Sequence, residues 1–193
     1  PGYIFDNPLT KFESEEMVLF NGNLDDEGIA QVNARFNIAS NAPGMLKAQF
    51  KVRVFEKAGD FSIDQFSIPC SSFESYVGLK IPSGPGWNGS LYSNEPNLIP
   101  VVTINEKGNT VNRSRVEIKV YELDWRWWWE ESEVDDLAQY VIGSSSRLIK
   151  TDYVNTINGK EMYEMNLKTD SWGRKLMVVT DPVSGHSAGQ LFY

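Results

Sequence analysis

The sequence predicts an all-β protein made of two β-sandwiches in tandem, the second carrying a short helical insertion. Three observations support this. Short runs alternate apolar and polar residues with period two, the mark of a half-buried strand. Turns rich in Asp, Asn, Gly and Pro separate these runs at roughly the 8–12-residue spacing of an all-β sandwich. One run, 116–123, leads into Trp125-Arg126-Trp127-Trp128-Trp129, and there the period changes from that of a strand to that of a helix.

Composition narrows the function classes. The 193 residues suffice for one or two domains. An apolar fraction of 41% is ordinary for a folded chain. The formal net charge of −8 is spread over both halves, leaving no basic face to displace counterions from nucleic acid. Cys70 is the sole cysteine and His186 the sole histidine. They exclude an internal disulfide framework, a cysteine-based zinc site and most histidine-dependent catalysis. No catalytic residue, metal ligand or cofactor site is therefore expected. No apolar run approaches the roughly 18 residues that span a bilayer. The chain opens at Pro1-Gly2 without Met or a secretory leader, and is read as a segment of a larger protein.

The first domain is expected over 1–72. Residues 1–11, with Tyr3, Ile4, Phe5 and Pro8, form an extended lead-in. A strand over 15–23 offers Val18 and Phe20 to a core. Asp25-Asp26-Glu27-Gly28 turns it, because Asp and Gly tolerate left-handed backbone and Asp can bond nearby amides. The return strand, 29–38, alternates through Ala30, Val32, Ala34, Phe36 and Ile38. After Asn41-Ala42-Pro43-Gly44, a strand over 45–56 places Leu46, Ala48, Phe50, Val52 and Val54 on one face. Lys47, Gln49, Lys51 and Arg53 take the other. Ala58-Gly59-Asp60 leads into a strand over 61–69. Four or five strands are thin for a sandwich, so this domain reads as incomplete at its N-terminus.

The second domain is expected over 73–193. Its first strand covers 76–81 and is followed by a Pro- and Gly-dense loop, 82–96. A strand over 98–104 turns at Asn105-Glu106-Lys107-Gly108-Asn109 into the strand that ends before the tryptophans. Over 132–143, Val134, Leu137, Ala138 and Val141 fall at helical spacing. Ser132 with Asp135 resembles a capping box, and Gly143 ends the helix. Strands over 147–155 and 162–167 flank the hairpin signal Asn158-Gly159, with Met165 and Leu167 inward. A strand over 175–181 turns at Asp181-Pro182-Val183-Ser184-Gly185 into the last, 187–193. Seven strands is the count of an immunoglobulin-like sandwich.

Several of these residues carry a resemblance. Asn105-x-x-Gly108 with Val111 and Val116-x-Ile118-x-Val120-Tyr121 looks like two strands of a macroglobulin domain, as does Trp172-Gly173 before an apolar strand. A sharper set is Val120-Tyr121 with Trp125-Arg126-Trp127-Trp128-Trp129, Asp181-Pro182-x-Ser184-Gly185-His186, and Arg53-Val54-Phe55-Glu56-x-x-Gly59-Asp60-Phe61-Ser62. Together they resemble bacterial alpha-2-macroglobulin-like proteins, large protease traps built of many macroglobulin domains. The resemblance implies two consecutive macroglobulin-type sandwiches, outside the thioester domain. It implies a non-catalytic segment of an endopeptidase inhibitor whose bait is cut elsewhere in the parent. The implied partners are neighbouring macroglobulin domains and target proteases, and the implied location is the periplasm or the cell envelope. The family's thioester motif is Cys-x-Glu-Gln, whereas Cys70 is followed by Ser71-Ser72-Phe73, so the covalent chemistry is not expected here.

The candidate site residues are structural or interface residues: Trp125, Arg126, Trp127, Trp128, Trp129 and Trp172. On a strand, Trp125, Trp127 and Trp129 would share one face, and large rings in a small sandwich usually serve as core. Arg126 could stack on a ring. The competing reading is a carbohydrate-binding or adhesion module that uses these rings and the 82–96 loop. Asn21 to Glu27 lacks the Gly that a calcium loop of the EF-hand type needs at its sixth position, where Asp26 stands, and is read as a polar turn. The carboxylates from Glu130 to Asp136 suit a helix N-terminus. His186, among Gly and Ser, is read as a surface turn residue, and Cys70 as a buried or linker thiol.

Overall fold

The computed structural model describes residues 2–35, 42–56, 59–123, 146–168 and 172–193. They form nine strands: β1 (Leu46–Phe55), β2 (Phe61–Cys70), β3 (Ser75–Leu79), β4 (Asn97–Asn105), β5 (Arg113–Leu123), β6 (Ser146–Thr156), β7 (Lys160–Met165), β8 (Lys175–Thr180) and β9 (Ser187–Phe192). Every ladder is antiparallel. Among the described residues the one helical piece is a 3-10 turn, Trp87–Gly89. The helix expected over 132–143 lies outside the described residues.

Strands β3 to β9 make an immunoglobulin-like sandwich. One sheet has the order β3-β4-β7 and the other β6-β5-β8-β9. The period-two pattern decides which side chains meet between them. Val77, Leu79, Ile99, Val101, Tyr163 and Met165 come from the first sheet. Val116, Ile118, Val120, Met177, Val179, Ala188 and Phe192 come from the second. Strand β8 is buried on both faces, because Leu176 and Val178 form a second cluster with Leu123, against which Leu9 and Tyr121 pack. This accounts for its unbroken apolar run, Leu176-Met177-Val178-Val179.

Turn chemistry fixes the corners. Asn105 Oδ1 accepts from the amides of Lys107 and Asn109 at 3.0 and 2.9 Å. At Asn158-Gly159 both residues have positive φ, 53° and 68°, and the flanking Ile157 and Lys160 exchange two hydrogen bonds. The turn is the one the sequence signals, but its two strands do not pair onward: β6 and β7 belong to different sheets. Glycine is required at 159, since a Cβ there would lie 2.7 Å from the Thr103 carbonyl oxygen.

Both sheets end in an open edge on the same side, at β3 and β9. The N-terminal segment straps this seam. Ile4 and Leu79 exchange backbone hydrogen bonds of 2.8 and 3.1 Å, and the Gly189 amide donates to the Asp6 carbonyl at 3.0 Å. Phe5 lies over Gly78 and Pro8 over Gly189, where any Cβ would come within 3 Å of them. Two side chains finish the β3 edge: the Val77 amide donates to His186 Nδ1 at 3.0 Å and the Ile81 amide to Gln190 Oε1 at 2.9 Å. The outward amides of Val77 and Leu79 in β3, and of Ile81 just beyond it, are thus satisfied, so the edge offers no template for further pairing.

The chain outside the sandwich is different. Among the described residues, strands β1 and β2, of ten residues each, form a two-stranded hairpin in continuous register from Leu46↔Cys70 to Phe55↔Phe61. Phe50 stacks on Phe66 with centroids 5.0 Å apart. The strands expected over 15–23 and 29–38 are not formed in the described residues 15–23 and 29–35. Their turn is present: Asp25 Oδ1 accepts from the Glu27 and Ile29 amides at 3.0 and 2.8 Å. Met17, Val18, Leu19 and Phe20 remain exposed. An alternating pattern needs a facing sheet before pairing is stable, and among the described residues none covers this segment.

Candidate functional site

The densest group of buried polar side chains lies at one end of the strapped seam. His186 is fully buried, against the reading of a surface turn residue. Burial follows from its neighbours: its ring meets Phe73 and Tyr76 edge-on, with centroids 4.9 and 4.8 Å away. Because Nδ1 accepts from the Val77 amide, the neutral ring carries its proton on Nε2. That atom has no full hydrogen bond, although the Phe5 backbone favours its charged form. Burial pushes the imidazole down to about 4, against the opposing pull of the Phe5 backbone and the Asp181 charge.

The same node roots the hairpin. Tyr76 Oη accepts from the Ser72 amide at 3.1 Å and lies 2.8 Å from Ser71 Oγ. At the other root the Asn7 amide donates to the Pro43 carbonyl at 2.7 Å, with Ala42 buried and Gly44 against Asp6. Strap, hairpin base and β3 edge therefore meet around one imidazole.

Next to it Asp181 is fully buried and fully used. Its Oδ2 accepts from Ser75 Oγ at 2.6 Å and Arg113 Nε at 2.9 Å, and its Oδ1 from the Val183 amide at 2.9 Å. Arg113 Nη2 reaches Ser75 Oγ at 2.6 Å. Burial pushes the carboxyl up, but the Ser75, Val183 and Arg113 hydrogen bonds outweigh it and hold the acid below its ordinary range. Ser, His and Asp thus lie together without forming a nucleophile–base relay. The Ser75 hydroxyl points to Asp181, and the imidazole acceptor is spent on a backbone amide. The cluster links β3, β5 and the β8–β9 turn, which is structural chemistry.

Two further groups tie the sandwich elsewhere. Tyr163 of β7 donates to Asp152 of β6, whose other partner is Lys150 at 3.1 Å, so a hydrogen bond spans the second open side between the sheets. Burial and the adjacent Asp152 raise the Tyr163 phenol. Lys175 is almost fully buried, with Nζ 3.8 Å from Glu122 Oε1. Burial lowers it, and Arg147, which grips the same carboxylate at 2.6 Å, adds to that. Among the described residues no group of three His, Cys, Asp or Glu side chains could hold a metal ion. No described helix is long and apolar enough to cross a membrane.

Of the candidate residues, Trp125, Arg126, Trp127, Trp128 and Trp129 lie outside the described residues. Trp172 is 81% exposed, so it contributes nothing to the sandwich core. Cys70 is half-buried at the end of β2, its thiol 3.6 Å from the Ile68 carbonyl. The sequence reading missed the strap and His186. A signal for the strap existed: Gly78 and Gly189 each interrupt a strand pattern, and such glycines mark close backbone approach.

Seven strands in a three-on-four arrangement make an immunoglobulin-like sandwich, with the strap covering the β3 and β9 edges. The family model described as bacterial macroglobulin domain 6 matches residues 78–193. This chain belongs to that family. Among solved structures it is similar to the native conformation of E. coli alpha-2-macroglobulin, with a TM-score of 0.55 and 13% identity. That match covers 100% of this chain and 12% of the other. No curated protein sequence matches.

Proposed function

We propose that this chain is a non-catalytic structural segment of an alpha-2-macroglobulin-like endopeptidase inhibitor. In that reading a protease cuts a bait segment of the parent, the domains rearrange and the protease is enclosed. The parent would be exported, in the periplasm or anchored at the cell envelope. The observation that carries the reading is the family match over the same residues that build the closed sandwich. The physics of the sandwich suits a wall element. Its two open sides are tied by the strap and by Tyr163–Asp152, and buried Asp181, Ser75, Thr103 and Thr156 are committed to backbone and to other side chains of the sandwich. The partners would be neighbouring macroglobulin domains, which Trp125, Arg126, Trp127, Trp128, Trp129 and Trp172 would contact or help to pack.

The test uses the longer protein that carries this segment. Mixed in excess with a protease, it should abolish cleavage of casein while leaving a small chromogenic peptide cleavable. Undiminished casein cleavage would sink the proposal.

A further inference from the structure

The loop between β3 and β4 presents a tryptophan on a built scaffold. From Ile81 to Asn94 no side chain is charged, in a chain where 23% are. The Gly84 amide donates to the Gly89 carbonyl at 2.8 Å and the Gly86 amide to the Ser90 carbonyl at 3.0 Å. Ser90 Oγ closes on the Trp87 carbonyl at 2.6 Å. Three glycines make this packing possible. A Cβ at Gly84 or Gly86 would lie 2.1 or 2.8 Å from the Ser90 carbonyl oxygen. Gly89 has φ +77° and Ser83 Oγ 2.5 Å from its Cβ position. The loop base is tied as well, by the Leu91 amide to the Tyr193 carbonyl at 2.8 Å and by Asn97 Nδ2 to the Tyr92 and Glu95 carbonyls. All this order holds out one large ring: Trp87 is 87% exposed.

We propose that residues 84–90 are a preformed docking knob, with Trp87 the anchor that fills an apolar pocket on a neighbouring folded domain of the parent protein. The centres of protein–protein interfaces are depleted in charge and enriched in Trp, which is the composition found here. A loop already fixed by hydrogen bonds loses little further freedom on docking. A sugar would need convergent polar groups around the ring. Among the described side chains of the loop, Ser90 Oγ is spent on the loop itself and Ser83 Oγ lies against Gly89. Naming a neighbouring domain as the partner rests on the reading of the chain as one segment of a macroglobulin.

The experiment places a photo-crosslinking benzophenone amino acid at position 87 of the parent protein and maps the products by mass spectrometry. The expected product joins position 87 to a peptide of the same polypeptide outside residues 1–193. In parallel, Trp87→Ala should shift the melting temperature of the 193-residue chain by less than about 1 °C, as for an exposed residue. In the parent the same change should speed amide exchange of residues 84–90 at least about tenfold. Three results would overturn the knob: products confined to residues 1–193, products with a glycan, or equal exchange of 84–90 in parent and isolated chain. Casein protection is read in the same parent. Its absence would sink the trap while leaving a cross-link between domains standing.

Discussion

The hairpin β1–β2 and the strand β5 read alike as sequence and end in opposite environments. In each, apolar and polar residues alternate along the strand. Val116, Ile118 and Val120 of β5 are fully buried, whereas Val52, Val54, Phe66 and Ile68 of the hairpin are exposed to between 39% and 48%. The ladder of the hairpin is the more regular of the two, since β5 is broken by register shifts at Arg113/Val116 and Val120/Tyr121. Regular pairing therefore does not measure stability. What β5 has and the hairpin lacks is a second sheet packed against its apolar face.

The comparison can be broken most forcefully at the strap. Removing residues 2–9 exposes two sheet edges and uncovers His186, and should cost on the order of 5 kcal/mol. Replacing 12–35 by a Gly/Ser linker should cost less than about 1 kcal/mol. Urea midpoints of the two variants would check this, and equal midpoints would remove the distinction. Next in size, Ile118→Ala should cost about 4 kcal/mol, and Phe66→Ala, half-exposed, less than about 1 kcal/mol.

Acid provides a finer probe. Above the ordinary value of 6.5 His186 is neutral in both states, so it contributes no pH dependence. As pH falls from 6.5 towards about 4, the unfolded chain takes up a proton that the folded node refuses. Stability should drop across that window by on the order of 3 kcal/mol. Asp181 and Asp152, held below their ordinary 3.8, lose their contributions at lower pH still. His186→Gln, which can still accept from Val77, should flatten the 4–6.5 window in chemical denaturation. A slope unchanged by that substitution would remove the imidazole from the account. At the other open side, Tyr163→Phe removes a hydrogen bond to a carboxylate and should cost about 2 kcal/mol.

Much of the fold was legible because strand period and turn chemistry are local. Strands β1 to β9 fall within a few residues of the runs that predict them, and the turns at Asn105 and Asp181 form around the residue types that signal them. The errors are non-local. Strands over 15–23 and 29–35 fail for want of a facing sheet, which no period records. His186 was placed on the surface because its Gly and Ser neighbours suit a turn. It is buried because Phe73 and Tyr76 close over it from elsewhere in the chain. Of the candidate site, only Trp172 falls on described residues, and its exposure marks it as a surface residue of this chain.

The strap also sets an order of events during synthesis. Ile4 and Asp6 leave the ribosome well before their partners Leu79 and Gly189. Contacts so distant in sequence are slow to form. Until Gly189 is made, the Asp6 and Pro8 end of the strap has no strand to close on, the condition in which nascent chains aggregate or swap segments. Translation must therefore reach β9 before the strap can be locked along its whole length.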